Sequence, residues 1–429
     1  MSLIPHWREV PAESGRVVAP DERLSWPQTA VMGMQHVIAM FGATVLAPLL
    51  MGFDPNVAIL MSGVGTLLFF VIVRGRVPSY LGSSFAFIGV VIAATGYAGS
   101  GPNASIGLAL GGIVVCGLVY ALIGLGVMGA GTGWIERLMP PVVTGAVVAV
   151  IGLNLAGVPI KNMAPTEFDQ WMQGITVLCV GLVAVRTAGL LQRLLILAGL
   201  VLASLVYALL ANGFGLGKPI DASGIANAAW FGLPQFAAPV FTGSAALLIA
   251  PVALILVAEN LGHVKAVSAM TGRNLDGSMG RAFLGDGVAT MLSGAVGGPG
   301  VTTYAENIGV MAATRIYSTA NFVFAALLAI VLGFSPKFGA LIQAIPLAVM
   351  GGVSIVVFGL IAVSGAKIWV DNRVDFTDNR NLIAAAVPLV LGTGDYTLHF
   401  GGFALGGIGT ATFGAILLHA LLRPRRTAR

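Results

Sequence analysis

The sequence predicts an all-α polytopic membrane protein of fourteen membrane segments in a seven-plus-seven inverted repeat, with short extended strands in segments 3 and 10. Three observations carry this prediction. The chain is unusually apolar, its basic residues gather on one side of the implied topology, and one motif recurs at matching places in the two halves. Charged residues make up 9% of the 429 and apolar residues 57%, with a mean hydropathy of +0.93. A soluble chain carries about 25% charged residues.

Apolar runs of about 17 to 25 residues fit a hydrocarbon core about 30 Å thick. Such runs begin near residues 29, 55, 82, 105, 139, 171, 191, 244, 282, 301, 318, 347, 381 and 402. Residues 1–28 are polar and punctuated by proline, with no cleavable signal pattern, and read as a cytoplasmic tail. Loops rich in Lys and Arg stay in the cytoplasm. Arg8, Arg16, Arg23, Arg74, Arg76, Arg137, Arg186 and Arg193 fall on one side of this topology. Lys265, Arg273, Arg281, Arg315, Lys367, Arg373, Arg380 and the terminal Arg423, Arg425, Arg426 and Arg429 join them. Of the 22 basic residues, only Lys161, Lys218 and Lys337 fall opposite. Both termini are therefore expected in the cytoplasm, and the pI of 9.4 reflects this bias. No basic cluster is interleaved with aromatics, which argues against nucleic acid as a partner. Cys116 and Cys179 lie within expected spans without metal-ligand spacing and read as small packing residues.

The longest non-cytoplasmic connection, residues 213–243, leaves seven spans on each side, so the second half enters the membrane upside down. Inverted repeats are a recurring transporter design, with the substrate site at discontinuous helices near the midplane. In the third span of each half, SSFAF-IGVV (residues 83–91, with one gap before Ile88) aligns with TTYAENIGVM (residues 302–311). Pro78 and Gly82 precede the first stretch and GGPG (297–300) the second, so neither reads as a through-going helix. Hydroxyl and aromatic residues in succession favour extended backbone. The expectation is an extended piece followed by a half-helix in each repeat. Paired together, these pieces would aim backbone amides and two positive helix ends at one site, suited to a small planar molecule bearing carbonyl oxygens.

Ionisable residues inside spans are functional-site candidates. Glu259, Asp286 and Glu306 are such residues, and Glu259 shares a helix face with His263 four positions on. An ionised carboxylate accepts hydrogen bonds, and a protonated one also donates. Low-dielectric surroundings penalise the charged form, so proton uptake belongs to the chemistry of such a group. A helix-packing hydrogen bond is the alternative role for either glutamate. Asp286, among glycines in LGDGVAT (284–290), reads as a network partner. His36 is expected either to orient an extended segment or to pack. Phe85 and Tyr304 are candidates to stack on a flat ring or to pack.

The stretch ENIGVMAATR (306–315) resembles the signature of the nucleobase–ascorbate (nucleobase–cation symporter 2) transporter family: Gln, Glu or Pro, then Asn-x-Gly, four variable residues, Thr, and Arg, Lys or Gly. Gln35–His36, Glu259 with His263, YLGSSFAF (80–87), PLAVMGG (346–352) and DNRVD (371–375) also fit, so the resemblance spans the chain. It looks closest to the bacterial uracil permeases, and among them to the pyrimidine permeases encoded beside pyrimidine-degradation enzymes. The resemblance implies a multi-pass protein of the bacterial inner membrane with a core domain (29–130 and 244–345) and a gate domain (131–212 and 346–423). The segment 213–243 would be a periplasmic connection and 424–429 a cytoplasmic tail. It further implies that Glu259 and Glu306 hold two edges of a pyrimidine. Backbone amides at Phe85 and Ala305 would meet its carbonyl oxygens, and Tyr304 would line the pocket. His263, His36, Asn307, Asp286 and Ser354 would form the proton-coupling network. No cofactor is implied beyond the coupling proton, and a homodimer through the gate domain is expected. Glu at 306 fits the uracil branch of the family it resembles, since xanthine and urate members usually place Gln there. One departure stands out: some uracil permeases present a Ser and a Tyr to the histidine, and here Ser354 is kept while Phe358 stands at the tyrosine position.

The resulting expectation is proton-coupled uptake of uracil or a related pyrimidine by elevator-like alternating access. A purine permease and, in the same fold, an anion exchanger are the alternatives. Neighbouring carboxylates repel anions. An enzyme is the least expected class, because the sequence shows no Ser/His/Asp set, metal-ligand cluster or phosphate-binding loop.

Overall fold

The computed structural model describes residues 6–12, 16–97, 101–400 and 403–422. The expected tail 424–429 and the four terminal arginines lie outside the described residues. Two short strands, β1 (Arg8–Glu9) and β2 (Glu22–Arg23), pair in parallel ahead of the first helix. Then come α1 (Trp26–Met51), α2 (Pro55–Ile72), β3 (Leu81–Ser83), a 3-10 turn (Phe85–Phe87), α3 (Ile88–Thr95) and α4 (Ile106–Ala130). Next are α5 (Gly133–Leu138), α6 (Pro141–Leu155), α7 (Gly157–Asn162), α8 (Glu167–Arg186), α9 (Leu190–Arg193), α10 (Leu195–Ala208) and α11 (Ser223–Asn227). The second half comprises α12 (Gly243–Ile249), α13 (Val252–Thr271), α14 (Asp276–Val296), β4 (Val301–Thr303), α15 (Ala305–Thr314), α16 (Thr319–Gly333) and α17 (Pro336–Gln343). It ends with α18 (Leu347–Asp371), α19 (Asn379–Thr393), the hairpin strands β5 (Leu398–Phe400) and β6 (Phe403–Leu405), and α20 (Gly407–Leu421).

Each expected segment start falls within a few residues of an observed element. Among the described residues, eight helices are long and apolar enough to cross a membrane, or nine when α16 and α17, bent by 83° at their junction, count as one. The other elements are shorter or more polar. Local chemistry explains several ends. Asp54 caps α2 by accepting from the amides of Asn56 and Val57, with Pro55 at the first helical position. Gly52, at φ 74, closes α1 in the left-handed region that glycine enters freely.

Two packed sets of helices result. In the first, α2 lies along α16, and α14 lies along α4, with α1 against α16. In the second, α6 packs on α18 and α19, α8 on α10 and α18, and α19 on α20. Small residues allow the closest approaches. A Cβ on Gly124 of α4 would collide with the Leu284 amide of α14, and one on Gly287 of α14 with the Ala121 amide of α4.

Residues expected to form a polar tail are partly folded. Val10, Val18 and Leu24 are buried and form a small apolar cluster with Met32 and Ile316, and α1 already begins at Trp26.

Candidate functional site

The two extended stretches meet deep in the molecule. β3 pairs antiparallel with β4, Leu81 opposite Thr303, Gly82 opposite Thr302 and Ser83 opposite Val301. Beyond the strands the Ser84 amide donates to the Gly300 carbonyl at 2.9 Å, and the Tyr304 amide to the Tyr80 carbonyl at 3.0 Å. These bonds exchange places under a local two-fold that carries residues 80–84 onto 300–304, an offset of 220. The expected alignment therefore needs a correction. Ser83 corresponds to Thr303 rather than Thr302, no gap is required, and Ile88-Gly89-Val90 falls on Ile308-Gly309-Val310 in register. Matching the hydroxyl–aromatic pairs had displaced the strands by one residue.

Under this two-fold Phe85 corresponds to Ala305, the first residue of the turn leading into α3 and the first residue of α15. The amides of Phe85 and Ala305 find no acceptor among the described residues, as the leading amides of a helix do unless something outside supplies one. Next in register, Ala86 corresponds to Glu306. Both glutamates thus belong to the second repeat, one on α13 and one on α15.

Glu259 is half-buried and Glu306 exposed, and the two lie close enough for their charges to interact. Neither side chain has a hydrogen-bond partner elsewhere among the described residues. His263 reaches the strand pair, its Nδ1 standing 2.9 Å from Thr303 Oγ1. Thr303 donates to Asn260 Oδ1 at 3.3 Å, which assigns the histidine proton to Nδ1 and leaves Nε2 available. Asn260 Nδ2 donates to Asp286 Oδ2 at 2.7 Å and to Tyr120 Oη at 2.9 Å. Tyr120 in turn lies 3.2 Å from the Leu256 carbonyl. A hydrogen-bonded chain thus runs from His263 through a strand hydroxyl to the fully buried Asp286.

The remaining candidates divide. Asn307 is buried, donates to the His36 carbonyl at 3.0 Å and lies 3.1 Å from His36 Nδ1, which ties α15 to α1. The Tyr304 hydroxyl donates to the Ser83 carbonyl at 2.8 Å and accepts from Thr44 at 3.2 Å. Its ring is buried where a Cβ on Gly82 would stand, so Tyr304 knits the strands to α1. Phe85 is half-buried and meets Phe358 of α18 edge to face, ring centres 6.0 Å apart. The Ser354 hydroxyl donates to Met350 of its own helix at 2.7 Å, and the His263 Nδ1 bond goes to Thr303.

Residues 27–401 match the model of a family described as "Permease family". A protein of Escherichia coli (strain K12) named "Putative pyrimidine permease RutG" is 69% identical over 420 residues, which cover 97% of this chain and 95% of that protein. The chain belongs to the nucleobase–ascorbate transporter family of permeases. A "Uracil permease" of Paenibacillus larvae is 42% identical over 417 residues, 94% of this chain and 96% of that one. The transmembrane domain of a cyanobacterial bicarbonate transporter, BicA, shares the fold, with a TM-score of 0.62 at 16% identity over 92% of this chain and 98% of that domain. The protein is therefore a multi-pass membrane permease and not an enzyme.

In this permease a cavity of about 910 Å³ is lined by residues of both helix sets, among them Leu49, Ile106, Asp169, Tyr207 and Met350. Gly309, Ala312 and Ala313 of α15 and Gly262, Ala266 and Ala269 of α13 are exposed, as are Ala305 and Glu306. Sequence reading missed Tyr120, Asn260 and Thr303. Asn260, adjacent to Glu259, was the one signal available, whereas Tyr120 lies on a distant span with no local pattern around it.

Proposed function

We propose that this permease takes up uracil or a related pyrimidine nucleobase together with protons across the bacterial inner membrane. The observation that carries the reading is the convergence of two carboxyls that bond no other residue among those described with two unpaired backbone amides at one two-fold. That set matches a flat heterocycle whose edges alternate N–H and C=O. Glu259 and Glu306 accept from the ring N–H groups, the amides of Phe85 and Ala305 donate to its carbonyls, and the Phe85 ring covers one face. Tyr304 closes the pocket behind the strands. His263, Asp286, Asn307, His36 and Ser354 supply the surrounding network. The names carried by the relatives support a pyrimidine, and Glu at 306 favours it over a purine. The coupling proton is the only cofactor the reading requires.

Moving a charged carboxyl through the membrane is costly. Protonation of the loaded site lowers that penalty, which links substrate and proton movement. The two packed sets support a core (29–130 and 244–345) that carries the site past a gate (131–212 and 346–423), with 213–243 as the external connection and both termini cytoplasmic. The exposed apolar faces of α8 and α10 suit a gate that contacts lipid and a second copy.

Uptake of labelled uracil in cells lacking other pyrimidine carriers tests the reading. Accumulation that collapses with a protonophore is the expected result, and no accumulation overturns it. Equal competition by unlabelled xanthine would move the assignment to purines.

A further inference from the structure

We propose that the amino-terminal segment is a clamp that sets the position of α15, and through it the position of Glu306. The inference rests on the reading of Glu306 as a substrate ligand. The half-helix α15 is ten residues long, and the face bearing Ala305, Glu306, Gly309, Ala312 and Ala313 is exposed. With Ala305, Glu306, Gly309 and Ala312 exposed, its placement depends strongly on how its two ends are held. The strand pair and the Asn307–His36 contact hold the first end. The second end closes at Arg315, and there the amino-terminal segment takes over.

Val18 pairs with Ile316 as a parallel bridge. The Val18 amide donates to the Arg315 carbonyl at 3.0 Å, and the Tyr317 amide donates back to the Val18 carbonyl at 2.8 Å. Both the amide and the hydroxyl of Thr319 donate to the Pro20 carbonyl, at 3.1 and 2.9 Å, and Trp7 Nε1 donates to the same hydroxyl at 2.8 Å. Asp21 pairs with Arg273, ahead of α14. The Trp7 ring stacks on Phe70 of α2, centres 5.9 Å apart. The segment is braced internally by the β1–β2 pair and by Glu22 with Arg8 and Arg16. These partners belong to the first helix set or to the connections next to its members, the one ahead of α14 and the one after α15.

The other half-helix shows why a clamp is needed. The far end of α3 is held by Asn103, whose Nδ2 donates to Thr95 Oγ1 at 3.0 Å and to the Met51 carbonyl at 3.1 Å. Each half-helix thus has a tether at its distal end. In the first repeat it is a loop residue, and in the second it is the segment ahead of α1.

The test uses full-length protein carrying Val18→Pro, which removes the amide donor, beside Val18→Ala, which keeps it. Three readouts are taken: substrate-free Tm, binding of labelled uracil, and maleimide labelling of an added Ala312→Cys on the exposed face of α15. The native Cys116 and Cys179 are buried. Val18→Pro is expected to weaken binding about tenfold and to change the labelling rate at 312 severalfold, with Tm nearly unchanged and Val18→Ala close to the parent. Parental binding and labelling in Val18→Pro overturn the clamp. So does a loss that tracks a falling Tm, because that would be a stability effect alone. If the parent protein binds no uracil, the functional reading fails while the labelling rate still decides the clamp.

Discussion

Thr66 and Thr290 perform the same task on opposite sides of one two-fold. Thr66 Oγ1 accepts from the Leu81 amide at 2.9 Å, and Thr290 Oγ1 accepts from the Val301 amide at 3.2 Å. Each threonine, from α2 and α14 respectively, caps the first residue of a three-residue strand that has neighbouring chain on only one edge. Thr290 also donates to the Val301 carbonyl at 3.0 Å. An unpaired backbone amide inside a membrane protein is costly, so these hydroxyls make the exposed strand edges tolerable.

Thr66→Val and Thr290→Val, nearly equal in shape to the parent, each leave one buried strand amide without an acceptor. A cost of about 1–3 kcal/mol is expected for each. The measurement is Tm of the purified variants together with uracil affinity. Unchanged values in both variants would show that the strand edges hold without the hydroxyls.

Glu259→Gln and Glu306→Gln keep shape but remove the ability to ionise and present an N–H₂ where a ring N–H needs an acceptor. A hydrogen bond to a charged group contributes about 1.5–3 kcal/mol, which corresponds to a loss of affinity of about 10- to 100-fold. Uptake is expected to fall by at least that factor in either variant at normal membrane abundance. Full uptake by both would remove these residues from the site.

The sequence made the fold legible through properties that need no tertiary knowledge. Hydropathy located α1, α2, α4 and α18 because a bilayer imposes their length and composition. Gly and Pro around residues 78–82 and 297–300 marked the broken segments because they interrupt helical hydrogen bonding. The strand register was less legible. Hydroxyl-for-hydroxyl matching drew Ser83 onto Thr302, but the hydrogen bonds from Ser84 and Tyr304 place the two-fold through the Gly82–Thr302 pair. Residues 6–24 read as a polar tail since their apolar anchors Trp7, Val10 and Val18 are too sparse for any periodicity. Their partners, Thr319 and Ile316, lie some 300 positions away. A separation of 140 positions likewise hid Tyr120 from Asn260.

Tyr120→Phe tests the buried network without touching either glutamate. The phenol accepts from Asn260 and lies near the Leu256 carbonyl, one turn before Glu259. Its loss leaves an Asn260 N–H unpaired, at a cost of about 1–3 kcal/mol. If the network orients α13, the KM for uracil rises severalfold while maximal uptake changes less. A fall in Tm with unchanged KM would confine Tyr120 to packing.

Arg315, the last position of the ENIGVMAATR motif, has φ 58 and closes α15 in the left-handed conformation. That conformation costs an L-residue about 1–2 kcal/mol and glycine far less. The motif's tolerance for Arg, Lys or Gly at this place then follows from backbone shape, since glycine shares no charge with the other two. Arg315→Gly and Arg315→Lys are expected to keep uptake and Tm near those of the parent. In Arg315→Val a β-branched side chain is forced to positive φ, where it is a steric outlier. The strain falls on the carbonyl that accepts from Val18, so Tm and uptake are both expected to fall. Should Arg315→Gly lose uptake as fully as Arg315→Val while remaining folded, the guanidinium itself matters, and the backbone explanation of the motif's end is wrong.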